Sequence, residues 1–103
     1  MESITQVTIT DNTFLRQYEC CVGEDLARVE YSEQERKIFL TKLSIPDAVQ
    51  GDDQFKEEFL RAVFENIRDQ KNLKMVPTNP KIAGFVRKHR NEFKEMLPVG
   101  INI

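Results

Sequence analysis

The stretch AVQGDDQFKEEFLRAVFENI, from Ala48 to Ile67, is the part of the chain best suited to chemistry, because a loop with one glycine leads into a strongly periodic helix. The first N–H groups of a helix have no partner within the helix and can bind an anion such as a phosphate. Phosphate-binding loops are typically rich in glycine, which lets the backbone approach the ligand. Here Asp52 and Asp53 stand at the helix start instead. We expect one of them to cap the helix, which contributes about 1 kcal/mol and closes the start to a ligand.

Neither the cysteines nor the histidine forms a recognisable metal or redox motif. Cys20 and Cys21 are adjacent, a spacing that suits neither a disulfide nor a zinc site, so we interpret them as partly buried packing residues. The single histidine, His89, lies in VRKHR near a predicted helix end, where a positive charge is favourable. We predict a solvated capping cluster there, no metal site, and a reduced, cytoplasmic protein.

The composition limits the classes of partner. The 103 residues suffice for one domain, predicted to span residues 1–103. The net charge of −2, from 15 basic and 17 acidic residues, argues against nucleic-acid binding, which needs a basic surface. No apolar run is long enough to cross a bilayer, and MESITQVTIT lacks the regions of a signal peptide. We therefore predict neither a nucleic-acid nor a membrane partner and leave a small ligand or a protein partner open.

The first half of the chain predicts four strands in an antiparallel meander, because its apolar runs alternate and are joined by short links. A turn is expected at Asp11-Asn12 and a hairpin loop at Glu33–Arg36. Two faces are predicted: one of Ala27, Val29 and Tyr31 in the third strand, and one of Phe39, Thr41, Leu43 and Ile45 in the fourth. The predicted strands are ITQVTI (Ile4 to Ile9), TFLRQYECCV, LARVEYS and KIFLTKLSI.

The second half changes to a helical period. Phe55, Phe59, Val63 and Ile67 recur every fourth residue, which predicts an amphipathic helix of about four to five turns. The apolar run LKMVP (Leu73 to Pro77) follows as a buried strand, and a strand–helix–strand order predicts that the fourth and fifth strands are parallel. Asn79-Pro80 suits the start of a second helix, with Asn79 as its N-cap. The residues expected to be buried in these last segments are Ile82, Phe85, Val86, Phe93, Met96 and Leu97.

This α+β order, β-β-β-β-α-β-α, resembles the core of the GNAT-type N-acetyltransferases. The similarity is greatest to their short, single-domain YjdJ-like branch, and it covers about residues 26 to 97. Three stretches carry it: LTKLSIPDAVQG, with its Ile45-Pro46 step; FLRAVFENIRDQKNLKMVP, ending in Val76-Pro77; and NPKIAGFVRKHRNEF.

The resemblance implies acetyl-CoA as the coenzyme and an amine as the acceptor. A pantetheine arm would pair with the backbone of the fourth strand, as an added strand does, and the loop before the helix would hold the diphosphate. A backbone N–H of the fourth strand would polarise the thioester carbonyl. The coenzyme-binding residues implied in this way are Leu43, Ser44, Ile45, Gln50, Gly51, Lys56 and Asn79.

Three positions depart from the pattern of the family. Gly51 is the only glycine retained in the loop, Lys42 stands where a histidine is common, and Asn79 stands where the branch has a cysteine. An amide at Asn79 can cap a helix or hydrogen-bond the coenzyme, but it cannot form an acyl intermediate. The catalytic candidates are Asn79 and, as a general base for the amine, Glu30. Instead of forming a capping cluster with His89, the basic residues near the helix end could meet the ribose phosphate: Arg87, Lys88 and Arg90.

Two functions are compatible with these residues. The first is a small acetyltransferase that transfers an acetyl group directly from acetyl-CoA to an unidentified amine, and the layout of the elements favours it. The second is a GNAT-like domain that has lost coenzyme binding and serves as an interaction or regulatory module. Asp52, Asp53 and Asn79 favour the second function, because they replace the groups that would hold or attack the coenzyme.

Overall fold

The computed structural model describes residues 8–98. Most of the predicted first strand, Ile4–Ile9, lies outside these residues, and Thr8 and Ile9 precede the first observed strand. The secondary structure includes two 3₁₀ turns, Asp47–Val49 and Lys94–Met96, and one π-helical turn, Ile67–Lys71, among the described residues. The strands and helices are β1 Thr10–Asn12, β2 Gln17–Val22, β3 Asp25–Gln34, β4 Lys37–Ser44, α1 Asp53–Asn66, β5 Lys74–Pro77, α2 Pro80–Lys88 and α3 Arg90–Phe93.

The five strands form one mixed sheet in the order β1-β2-β3-β4-β5. Neighbours from β1 to β4 are antiparallel, as the short links require. β4 and β5 are parallel, with a register that runs from Lys37 opposite Lys74 to Leu40 opposite Pro77. A parallel pair needs a long crossover, and α1 with its π-helical turn provides it. The predicted α+β arrangement is confirmed.

The predicted turn at Asp11-Asn12 is wrong by two residues. Both residues belong to β1, and the turn covers residues 13–16. The Oδ1 atom of Asn12 accepts a hydrogen bond from the N–H of Leu15 at 3.0 Å, so Asn12 initiates the turn from within the strand. Arg16 has a φ of 57° and ends the turn, which is why the predicted second strand loses its first four residues.

The predicted hairpin loop Glu33–Arg36 contracts to two residues. Glu33 and Gln34 extend β3, and only Glu35 and Arg36 form the turn. Their φ angles are 51° and 65°, the left-handed conformation that a two-residue hairpin turn requires and that non-glycine residues adopt at a cost.

β4 contains a bulge at Thr41. The pairing with β3 passes from Tyr31 opposite Leu40 to Glu30 opposite Lys42, so Thr41 has no partner in the register. Its hydroxyl group donates a hydrogen bond to the carbonyl of Glu30 at 3.2 Å. An extra residue of this kind reverses the alternation of side chains along a strand.

The bulge overturns one predicted face. Ile38 and Leu40 are fully buried in the core before the bulge, whereas Leu43 and Ile45 contact the core after it. Side chains alternate between the two faces of a sheet, and the extra residue of a bulge shifts this alternation by one position. Every second residue therefore cannot lie on the same face both before and after the bulge. The predicted common face of Phe39, Thr41, Leu43 and Ile45 is therefore wrong for Phe39 and Thr41.

The helices cover one face of the sheet. Phe59, Val63 and Phe64 of α1 are fully buried and belong to the same core as the inward residues of the strands. The ring of Phe64 meets that of Phe93 edge to face, with centroids 4.9 Å apart, and that of Phe85 at 5.7 Å. These aromatic contacts fix α1, α2 and α3 against one another.

A polar cluster around Lys71 connects the π-helical turn with β1 and β3. Its ammonium group lies 3.0 Å from Asp11, 2.7 Å from Glu33 and 3.3 Å from the hydroxyl of Tyr31. Burial alone would lower the pKa of Lys71, but these hydrogen bonds raise it above its ordinary value. Burial and the hydrogen bond to Asp11 raise the pKa of Tyr31. The folded protein therefore holds both protons more tightly than the unfolded chain does.

Candidate functional site

β4 and β5 part after the pair Leu40–Pro77. The carbonyl of Leu40 accepts hydrogen bonds from the N–H groups of Thr78 and Asn79, both at 3.1 Å, and from the Thr78 hydroxyl at 3.0 Å. The chain then turns into α2, while β4 continues through residues 41–44. Over these residues the edge of β4 that faced β5 has no neighbouring strand in the described part of the chain. Four residues correspond to about 13 Å of open strand edge.

A cleft of about 380 Å³ adjoins this open edge. The end of β4 and the loop after it form one wall, the first turns of α1 form the second, and one face of α2 forms the third. The wall from β4 and its loop consists of Leu43, Ile45 and Gln50, and that from α1 of Asp53, Lys56, Glu57 and Leu60. The wall from α2 consists of Lys81, Gly84, Phe85 and Lys88.

Four of the seven residues predicted to bind the coenzyme line this cleft together: Leu43, Ile45, Gln50 and Lys56. The side-chain amide of Gln50 donates a hydrogen bond to the carbonyl of Ile45 at 2.6 Å. This bond folds the loop back onto the end of β4 and so braces this one wall of the cleft.

The other three predicted residues lie outside the lining of the cleft. Ser44 pairs with Arg28 and lines a separate hollow, and Gly51 is exposed in the turn before α1. Asn79 caps α2, because its Oδ1 atom accepts hydrogen bonds from the N–H groups of Lys81 and Ile82 at 2.9 and 3.3 Å. The capping interpretation of Asn79 is confirmed.

Asp52 and Asp53 have different environments. The carboxylate of Asp52 accepts a hydrogen bond from the N–H of Phe55 at 3.0 Å, so Asp52 is the predicted N-cap of α1. It lines a hollow beside Cys21, away from the cleft. Asp53 lies on the cleft side, with its side chain 92% exposed and 3.9 Å from the ammonium of Lys56. The chain's own carboxylate therefore occupies one amide at the helix start, and a second carboxylate adds negative charge to the cleft.

Glu30 lies on the other face of the sheet. It alternates along β3 with Val29 and Tyr31, which are buried beneath the helices, and it stands opposite Lys42. Its carbonyl accepts the hydrogen bond from Thr41, so its backbone adjoins the bulge. The cleft and this candidate base are thus on opposite faces at the point where β4 and β5 part.

The sequence did not identify the α2 wall of the cleft. Lys81, Gly84, Phe85 and Lys88 are spaced at i, i+3, i+4 and i+7, so they share one face of the helix. That spacing was visible in the sequence, but the partner of the face was not. A Cβ atom built at Gly84 would meet nothing within 4 Å, so the cleft reaches the backbone of α2 there.

The prediction of a solvated capping cluster at His89 is wrong in part. His89 does end α2, but its side chain is only 17% exposed, because Phe85 covers the ring at a centroid distance of 4.5 Å. Its Nδ1 atom lies 3.4 Å from both Arg61 and Glu92, which pair with each other. The hydrogen bond from Arg61 lowers the pKa of Glu92.

The Nε2 atom of His89 is buried and has no hydrogen-bond partner among residues 8–98. Nδ1 thus faces both a guanidinium donor and a carboxylate acceptor, whereas Nε2 can donate to an acceptor that approaches it. The nearest carboxylate to this donor is that of Glu57, 3.9 Å away. Glu57 in turn lines the cleft and lies 3.9 Å from the ammonium of Lys88.

The two cysteines and the possible metal-ligating side chains do not form a site among residues 8–98. Cys20 is buried, as its packing role predicted, whereas Cys21 is exposed, and both thiols are free. Within residues 8–98, no three metal-ligating side chains come together. The helices of this part of the chain are all too short or too polar to span a membrane.

Comparison with known proteins agrees with this geometry. A family model described as GCN5-related N-acetyl-transferase matches residues 17–96, which include β2 to α3, the open edge of β4 and the whole cleft. None of the curated proteins matches the chain significantly. Since the match covers well over half of the 103 residues, the chain belongs to the GCN5-related N-acetyltransferase family.

Proposed function

We propose that the protein is an N-acetyltransferase that binds acetyl-CoA in the cleft and transfers its acetyl group directly to an amine. The observation that carries this proposal is the parting of β4 and β5 after Leu40, which leaves residues 41–44 with an open edge beside a cleft of about 380 Å³. A pantetheine arm carries amide groups and can pair with such an edge as an added strand does.

The residues present fit a ligand of this kind. Leu43, Ile45 and Leu60 offer apolar surface to the arm, and Gly84 leaves room against the backbone of α2. Lys56, Lys81 and Lys88 supply positive charge for phosphates. Acetyl-CoA, when bound, supplies an activated thioester that an amine can attack.

The chain's own contribution to the chemistry is positioning and backbone polarisation. The bulge at Thr41 turns backbone groups of β4 out of the regular ladder with β3, where an N–H can donate to a thioester oxygen. Asn79 uses its side-chain oxygen to cap α2 and has no thiol, so the transfer proceeds without an acyl-enzyme. We keep Glu30 as the candidate base, because its backbone adjoins the bulge and an amine can approach from its face of the sheet.

Isothermal titration calorimetry with acetyl-CoA and CoA, followed by an acetyl-transfer assay with a panel of amines, tests this proposal. We expect binding in the micromolar range and turnover with at least one amine. Glu30→Gln should lower the rate of acetyl transfer and leave the affinity for acetyl-CoA unchanged. The absence of heat and of a thermal shift at millimolar acetyl-CoA would contradict the proposal.

A second function, an interaction or regulatory module without coenzyme binding, is favoured by the Asp52 cap. The cap occupies an amide that phosphate-binding members would leave to the ligand, and Asp53 adds repulsion on the cleft side. The double change Asp52→Gly and Asp53→Gly separates the two functions. It should chiefly raise acetyl-CoA affinity in a transferase, whereas in a module it should only lower stability, by about 1 kcal/mol for the lost cap. Micromolar binding of acetyl-CoA by the wild type would exclude the module.

A further inference from the structure

At the α1 end of the cleft, the helix start that should receive the diphosphate is already capped. The Asp52 carboxylate bonds the Phe55 N–H, and Asp53 projects at the cleft side. A phosphate that enters the cleft must therefore find its positive charge elsewhere. The two lysines nearest this end lie on opposite walls: Lys56 on the first turn of α1 and Lys88 on the last turn of α2.

The placement of α2 supports this assignment. Its first end is fixed at the parting of the strands, since the N–H of Asn79 bonds the carbonyl of Leu40. Its last turn reaches α1, where Lys88 lies 3.9 Å from Glu57. From Asn79 to Lys88 the helix advances about 13 Å, so α2 runs along the cleft from the expected thioester end to the expected phosphate end.

Within residues 8–98, both lysines make only long ion pairs with carboxylates of the chain. Lys56 lies 3.9 Å from Asp53, and Lys88 lies 3.9 Å from Glu57, with its side chain 71% exposed. Each pair has one strongly exposed member, Asp53 or Lys88, and ion pairs of this kind contribute little to stability. A diphosphate or a phosphate monoester offers the ammonium groups several acceptor oxygens and about two negative charges, whereas a carboxylate carries one.

We propose that Lys56 and Lys88 form a phosphate clamp across the cleft, and that Glu57 is its displaceable counter-ion. When a phosphorylated ligand enters, Lys88 releases Glu57, whose carboxylate turns to the buried Nε2–H of His89, 3.9 Å away. This exchange gives the unpartnered donor of His89 its acceptor and keeps the carboxylate away from the phosphates. The proposal rests on the proposed function for the identity of the ligand, and it places the phosphates on side chains of α1 and α2 instead of on the first amides of α1.

Calorimetric titration of four proteins with three probes tests the clamp. The proteins are the wild type, Lys88→Gln, Glu57→Gln, and Lys94→Gln as a matched control, which makes the same substitution at an exposed lysine outside the cleft. The probes are CoA, dephospho-CoA, which lacks the ribose phosphate, and pantetheine, which lacks all phosphates. Thermal melts establish that each variant is folded.

The clamp predicts opposite effects of the two cleft variants. Lys88→Gln should weaken CoA binding about tenfold, as expected for the loss of one charge-assisted hydrogen bond, and leave pantetheine binding unchanged. Glu57→Gln should tighten CoA binding severalfold, again without an effect on pantetheine, and the CoA affinity of Lys94→Gln should stay within twofold of that of the wild type. The ratio of the affinity for CoA to the affinity for dephospho-CoA then locates Lys88. A smaller ratio in Lys88→Gln than in wild type would assign Lys88 to the ribose phosphate. An unchanged ratio together with the tenfold loss of CoA affinity would assign it to the diphosphate.

The failures of the two proposals are distinguishable. Equal effects of Lys88→Gln and Lys94→Gln on CoA affinity, or weaker CoA binding by Glu57→Gln, would overturn the clamp while leaving coenzyme binding intact. Binding of CoA with the predicted pattern but without acetyl transfer to any amine would overturn the transferase and support the clamp. A wild type that binds none of the three probes would overturn both.

Discussion

Two substitutions of Gly84 test the stability of α2 and the openness of the cleft independently. Gly84 is the fifth of the nine residues of α2, and a glycine inside a helix costs about 1 kcal/mol relative to alanine. The Cβ atom of an alanine there would meet nothing within 4 Å, so no steric cost offsets the gain. We therefore expect Gly84→Ala to stabilise the fold by about 1 kcal/mol and to raise Tm by about 4 to 8 °C.

Gly84→Leu adds three further carbons, which have no space except the cleft. Leucine is nearly as good a helix former as alanine, so the variant should melt at or above the wild-type temperature while losing most of its affinity for acetyl-CoA. Gln70→Leu introduces the same side chain, without a change of charge, at an exposed site in the π-helical turn and is the control. Differential scanning calorimetry and isothermal titration give both quantities for each protein.

Two outcomes would refute this reasoning. A fall in Tm for Gly84→Ala would mean that the space beside α2 is filled. Wild-type affinity in a folded Gly84→Leu would mean that the ligand does not lie against α2, and the cleft would then not be the coenzyme site.

The remaining predictions concern stability. Glu35→Asn with Arg36→Gly should raise the free energy of unfolding by about 1 kcal/mol in chemical denaturation, because both positions have left-handed φ angles; a fall would contradict the assigned turn. Asp52→Ala should lower it by about 1 kcal/mol, whereas no change would mean that the cap contributes nothing. Since the pKa values of Tyr31 and Lys71 are raised on folding, their stabilisation is complete below the unfolded values of 10.0 and 10.5 and is lost as pH rises above them. Lys71→Met should therefore be destabilising at pH 7, by about 1 to 3 kcal/mol, and its difference from wild type should shrink above pH 10.5 in pH-dependent melts; a constant difference would contradict this account.

The sequence predicted the features of the fold that depend on local chemistry. The fourfold spacing from Phe55 to Ile67 marked α1, and the cap at Asn79 marked the start of α2, because both depend on residues close together in the chain. The parallel pairing of β4 and β5 followed from the length of the crossover between them. These predictions required no knowledge of distant contacts, and the structure confirms them.

Features that depend on distant partners were not predictable in the same way. The bulge at Thr41 exists only in the register between β3 and β4, so strict alternation assigned Phe39 to the wrong face. The burial of His89 depends on Phe85 and on Arg61 and Glu57 of α1, which the chain brings near only through packing of the helices. For the same reason the α2 wall of the cleft could be found as a helix face but not as part of a site.

Amide hydrogen exchange, with and without acetyl-CoA, tests the central claim most directly. If the coenzyme arm pairs with the open edge of β4, exchange of the amides in residues 41–45 should slow on binding, and exchange at the turn of Glu35 and Arg36, at the other end of β4, should not change. Saturating acetyl-CoA that leaves the exchange of residues 41–45 unaltered would contradict the claim that this edge is the coenzyme site.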